Sequence, residues 1–290
     1  MDKLITFFQQ FNTREIAIIC WLFVLLLWAF SQKNIRKSLF SVLKSLFQIK
    51  ILSVIIAAIS YTGLTVLLLS KIGIWEWTLL KDTIYWFIAV AFVLLMNTNK
   101  VNQEKGFFAK ILKDNLKIIL ILEFILTLYT FNLITEIILV PILVIIGAMS
   151  AVSELKKEYL PVKKIFDSIL SLIGIFFIIF ALGKVFGDFQ HIMTSQNLKT
   201  FVLPPLLTVA FIPFVYFFAL IMAYENLFVR LSIFNKNDPE LIAFAKHKII
   251  QACHFNLSKL NRFAKESTQD LMKISAKKDV NTIINRYFKK

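Results

Sequence analysis

The chain has 290 residues, of which 58% are hydrophobic and only 18% charged, with a mean hydropathy of +0.73 and a formal charge of +15. Soluble domains alternate burial with exposure and do not reach that apolarity, so an ordinary soluble enzyme or binding module is excluded and an all-α polytopic membrane protein is expected. Seven glycines argue against a carrier built on broken helices, and two cysteines, Cys20 and Cys253, imply no disulfide framework.

Apolar runs predict seven spans, at 16–30, 51–69, 84–96, 118–131, 137–152, 169–183 and 201–224. No basic leader or small-residue cleavage site precedes the first run, which therefore reads as a reverse anchor, with residues 4–8 in the outer interface. The first connection, 32–50, carries five Lys/Arg and no acid. Residues 33–47 within it form a basic amphipathic helix, either an elbow lying on an anionic leaflet or a docking element for a gate or partner. Trp75, Trp77, Tyr85 and Trp86 around the next connection are expected to form an aromatic belt. Between the fourth and fifth runs, Asn132, Thr135 and Glu136 interrupt the apolar stretch. Pro141 then fits near the start of a new helix and would kink a continuous one.

Positive charge decides between six and seven spans. Seven spans collect 27 Lys/Arg on one side, in 32–50, 97–117, 154–167 and 226–290, and 6 on the other. Six spans would put successive basic loops on opposite faces. The expected topology is therefore that of a multi-pass inner-membrane protein with its N-terminus outside and its C-terminus in the cytoplasm. The chain divides accordingly into a transmembrane domain, 1–225, and a basic helical domain, 226–290, with a net charge of +8.

The last span is expected to continue to Phe234, and a new helix to open with Asp238 as N-cap and Pro239 at its first position. Read as one helix, the segment from Pro239 onward has an apolar stripe of Ile242, Ile249, Cys253, Leu260 and Ala264. Opposite it runs a stripe of Phe244, Lys248, Gln251, Phe255, Lys259 and Arg262. Cations interleaved with aromatic rings hold phosphates while a ring stacks on a base. Phe244, Lys248, Phe255, Lys259 and Arg262 are thus a candidate nucleotide or oligonucleotide site; the alternative is that the aromatic residues pack against a subunit or another helix. A 65-residue tail buries little core alone, so a homo-oligomer is expected.

No phosphate loop, dinucleotide fingerprint or hydrolase motif occurs, so neither catalysis nor a cofactor is expected. His247, Cys253 and His254 lack the further ligands a zinc site needs, and no metal is expected. Glu123 is the ionisable residue deepest in a predicted span: it either pairs with a lysine of the basic loops or lines a polar pathway. Pro204, Pro205 and Pro213 in the last span supply either a bend, with Pro213 at a gate, or helix-start and packing features.

A membrane body without chemistry, joined to a basic tail continuous with its last span, predicts an oligomeric channel gated by an anionic ligand. The competing reading is a transporter or scaffold whose tail binds anionic lipids or a protein. In this plan of spans and basic tail, the chain resembles the membrane-channel effectors of nucleotide- or DNA-oligomer-controlled anti-phage systems, such as the Hailong type. The resemblance implies membrane depolarisation on infection and a separately encoded nucleotidyltransferase partner.

Overall fold

The computed structural model describes residues 11–98, 107, 111, 129–187, 194–234, 238–271, 274 and 276–288. Among these, the α-helices are α1 Thr13–Ser31, α2 Lys33–Leu46, α3 Ile49–Lys71, α4 Leu80–Trp86, α5 Phe92–Met96, α6 Leu133–Ser153, α7 Leu160–Gly187, α8 Ser195–Phe234, α9 Pro239–Cys253, α10 Leu257–Glu266, α11 Thr268–Leu271 and α12 Lys277–Phe288. A π-helical turn, Phe87–Ala91, joins α4 to α5, and no strand occurs among the described residues. Six helical segments there are long and apolar enough to cross a membrane: Thr13–Ser31, Ile49–Lys71, Trp77–Met96, Leu133–Ser153, Lys157–Lys184 and Ser195–Ile233. The chain is an all-α polytopic membrane protein. Six predicted runs coincide with these helices; the fourth, 118–131, lies almost wholly outside the described residues, and Glu123 with it.

Local chemistry sets the helix ends. The Asn12 side chain accepts from the Glu15 N–H while Glu15 accepts from the Asn12 N–H, a reciprocal cap that opens α1. Asn132 caps α6 by accepting from the Thr135 N–H, which makes the polar interruption a helix start, with Pro141 inside α6. The chain leaves α3 through Gly73, whose φ of 76° suits a residue without Cβ, while Ile74 and Trp75 N–H both return to the Leu69 carbonyl. α2 buries no residue, as a helix lying on a surface would.

Packing divides the chain into two compact units. The first comprises Met1–Ile84 and Asn115–Leu206, and in it α6 packs on both α1 and α7. The Trp21 indole donates across to the Ile137 carbonyl at 2.8 Å, and Phe131 lies against Phe180 with ring centroids 4.5 Å apart. The outward faces of α1, α3, α6 and α7 are apolar and exposed, as lipid contact requires.

The second unit comprises Tyr85–Asp114 and Leu207–Lys290. Its spine is the α8 stripe of Leu207, Phe211, Val215, Ala219, Ala223, Leu227 and Leu231, buried at every fourth residue. The tail supplies a matching series, Leu241, Ala245, Ile249 and Cys253 on α9, then Leu257, Leu260 and Phe263 on α10, closed by Val280 and Ile283 on α12. α12 packs on α9, and Phe263 is held between Tyr287 and Phe288.

Two of the four residues expected in an aromatic belt are instead internal. Trp75 and Trp86 are 7% and 3% exposed, and their indoles donate to Thr83 and Thr208, each at 2.9 Å. A buried indole N–H needs an acceptor, and a helical threonine hydroxyl provides it in both cases. Trp77 and Tyr85 remain exposed, as a belt requires.

Candidate functional site

The tail begins as the sequence predicts. α8 runs unbroken through Phe234, and Asp238 caps α9 by accepting from the Leu241 N–H, with Pro239 in the first turn. Beyond Asp238, however, the stripe-bearing segment forms two helices rather than one. His254 takes φ 47°, a conformation L-residues rarely adopt, and Asn256 caps α10 by accepting from the Lys259 N–H. The corner 254–256 is held on α8 by two tyrosines. The Tyr216 hydroxyl donates to the Phe255 carbonyl at 2.6 Å and accepts from the Leu257 N–H, and the Tyr224 hydroxyl donates to the His254 carbonyl at 2.7 Å.

The break divides the expected stripe. Phe244 has two ammonium groups over its ring, Lys248 and Lys277, each 5.9 Å from the centroid. Phe255 lies beyond the end of α9, so about 13 Å of helix rise separates it from Phe244. It is 72% exposed and meets the Phe217 ring edge-on, with centroids 6.1 Å apart. The Lys259 ammonium donates to the Ala252 carbonyl at 2.7 Å and lies 4.7 Å from the centre of the Phe288 ring. Arg262 is exposed on α10. One cation–aromatic cluster, Phe244 with Lys248 and Lys277, therefore stands on α9 and α12. Phe255 and Lys259 line a separate open cleft of about 660 Å³. The apolar stripe is also displaced by one residue at its start, because Leu241 rather than Ile242 opens the buried series.

Burial pushes the Cys253 thiol up to about 11, against a weaker lowering from nearby Lys259. The group is therefore mostly neutral near pH 7, and its side chain is buried in the core of the second unit. Among the described residues, no group of three or more His, Cys, Asp or Glu is placed to hold a metal. Pro213 is exposed on α8, which continues through it.

A second cluster, in the first unit, escaped the sequence reading. Glu136 is buried, 2% exposed, and accepts from Arg14 through Nε at 3.2 and 3.1 Å and through Nη2 at 3.0 Å; the Phe131 N–H adds a bond at 3.0 Å. Thr13 donates to the neighbouring Phe131 carbonyl, and Arg14 also covers the Phe177 ring. Glu15 is paired with Lys81 at 3.1 Å, Glu76 with Lys199, and Thr78 with Gln196. Four segments that charge counting assigns to the same side, near residues 13–15, 76–81, 131–136 and 196–199, are tied together by these bonds. Residues on the other side pair among themselves: Glu154 with Lys163, and Asp167 with Ser150.

No protein-family model, curated protein or solved structure matches the chain.

Proposed function

We propose that the chain is the subunit of an oligomeric channel in a bacterial inner membrane, with its N-terminus outside and its tail in the cytoplasm. A nucleotide or oligonucleotide bound to the tail gates it. The observation that carries this reading is the second unit: the last span and the whole tail share one core along α8, so a ligand on the tail acts on a body that includes a membrane helix. A ligand shifts a gate only through unequal affinity for its two states, and this shared core supplies a path for that difference. The binding surface centres on Phe244, with Lys248 and Lys277 at its face; the reading does not need Phe255, Lys259 or Arg262. As in the effectors it resembles, the chain then acts in anti-phage defence, with a nucleotidyltransferase partner supplying the signal.

Binding of a short mixed-sequence single-stranded DNA to the full-length protein in nanodiscs tests the site. Replacing Lys248 and Lys277 with Gln is expected to weaken binding and reduce the slope of log affinity against log salt by about 1.4. Phe244→Leu keeps apolar volume and removes stacking, a loss of about tenfold. Absence of binding by the wild-type protein at moderate salt contradicts the reading. One observation favours the competing reading of a lipid- or protein-binding scaffold: the His254 break leaves three of the five expected ligand residues outside the Phe244 cluster.

A further inference from the structure

Phe255 poses a problem that the ligand site does not solve. A phenyl ring 72% exposed on a corner is poorly placed in water, yet this corner is hydrogen-bonded to α8 at Tyr216 and Tyr224. Tyr224 ends the apolar run that sequence places at 201–224, and Tyr216 lies about 12 Å of helix rise inside it. The corner is therefore held beside the last two turns of that run. Phe217 touches Phe255, and Ile221 and Ile250 line a neighbouring, mainly apolar groove with Glu225 and Lys246 also in its wall.

Beside Phe255 the surface changes character. The cleft of about 660 Å³ is lined by Tyr216, His254, Asn256, Ser258 and Lys259 as well as Phe255. The Lys259 ammonium carries three N–H groups, and its partners among the described residues are neutral, one carbonyl and one ring face. Its positive charge is not cancelled there. The Asn256 side-chain oxygen is used in capping α10, which leaves the amide NH₂ as a donor toward the cleft. Ser258 and His254 add a hydroxyl and a ring N–H.

We propose that the α9–α10 corner is an interfacial anchor that binds an anionic phospholipid. Phe255 enters the acyl region beside Phe217, and the headgroup phosphate occupies the cleft against Lys259, with Asn256, Ser258 and His254 as hydrogen-bond donors. The geometry matches what a leaflet presents, hydrocarbon on one side of the corner and negative charge on the other. This inference does not rest on the ligand-gated reading, because it uses the opposite end of α9.

The test is lipid retention by the full-length protein, exchanged into detergent from nanodiscs of phosphatidylglycerol or phosphatidylcholine and read by native mass spectrometry. The wild-type protein is expected to retain phosphatidylglycerol over phosphatidylcholine. Lys259→Gln is expected to reduce that preference about fivefold, with Lys259→Arg restoring it. Ser258→Ala gives a smaller loss and leaves the packing of α10 untouched, and Phe255→Ser lowers retention of both lipids. Equal retention of the two lipids by the wild-type protein overturns the proposal. So does an equal loss in Lys278→Gln, which removes one charge from α12 and would show general attraction rather than a site. Displacement of bound phosphatidylglycerol by short single-stranded DNA would also overturn it, by assigning the cleft to a nucleic acid, whereas a protein that retains the lipid but binds no DNA keeps this inference and loses the channel-gating one.

Discussion

Glu136 shows how a membrane protein of this composition holds a charge away from water. Removing a carboxylate from solvent costs several kcal/mol, and Arg14 offsets that only because its guanidinium meets both carboxylate oxygens while the Phe131 N–H takes a further lone pair. Arg14→Met leaves the carboxylate stranded and is expected to cost about 3 kcal/mol, read as a lower unfolding temperature in detergent. Adding Glu136→Gln removes the uncompensated charge, so the double variant is expected to be more stable than Arg14→Met alone. Cys253 gives a second residue-scale expectation. With its thiol pushed up to about 11 and its side chain buried, the thiolate is scarce at neutral pH, and alkylation of the folded tail is expected to stay slow until the pH approaches that value. Rapid labelling of Cys253 near pH 7 contradicts the packing described for α9. Cys253 was legible as a member of the apolar stripe, and it is buried on α9, whereas the Arg14–Glu136 pair was not. Arg14 and Glu136 lie about 120 positions apart and read singly as span-end charges free to reach water, and only the packing of α1 on α6 brings them together.

At the scale of elements, the α9–α10 corner departs most from the sequence expectation. Asp238 and Pro239 announce the start of α9 by well-known cap chemistry, and the structure places that start there. The end of α9 carries no Gly or Pro, so a pattern of apolar residues at helical spacing reads straight through it. Asn256, a favoured N-cap, was the available signal. The turn instead relies on His254 at φ 47°, a conformation that costs an L-residue about 1–3 kcal/mol and persists because Tyr216 and Tyr224 hold the neighbouring carbonyls. His254→Gly is expected to raise stability by up to about 1 kcal/mol in thermal unfolding, since glycine takes that conformation freely. Replacing both tyrosines with Phe removes two hydrogen bonds, each worth about 1 kcal/mol, and is expected to speed amide exchange or proteolysis at residues 254–257 ahead of the rest of the tail. Unchanged protection there would mean that the corner is held by its own packing. The spans were easier to read than the corner, because a length of apolar sequence is a local property and a helix break chosen by tertiary hydrogen bonds is not.

For the whole molecule, charge asymmetry and packing bear on the same topology. The ion pairs and hydrogen bonds of the first unit join Thr13, Arg14, Glu15, Glu76, Thr78, Lys81, Glu136 and Lys199, all from segments that the count of 27 against 6 places outside. Reporter fusions after Leu133 are expected to read extracytoplasmic and fusions at Lys44 and Lys290 cytoplasmic. A cytoplasmic signal at Leu133 removes the seven-span topology. The division into a body of 1–225 and a tail of 226–290 describes composition, whereas packing groups the tail with α8 and with Tyr85–Asp114, which no charge count reveals. That grouping underlies the functional proposal, because it joins the surface around Phe244 to a membrane helix. The most direct test is the current carried by purified full-length protein in a planar bilayer. Short mixed-sequence single-stranded DNA is added to the tail side, for wild type and for the variant with Phe244→Leu, Lys248→Gln and Lys277→Gln. The account predicts discrete conductance steps whose open probability changes with the DNA in the wild-type protein and stays constant in the variant; a bilayer that remains electrically silent with abundant, folded, inserted wild-type protein, with and without the DNA, would contradict it.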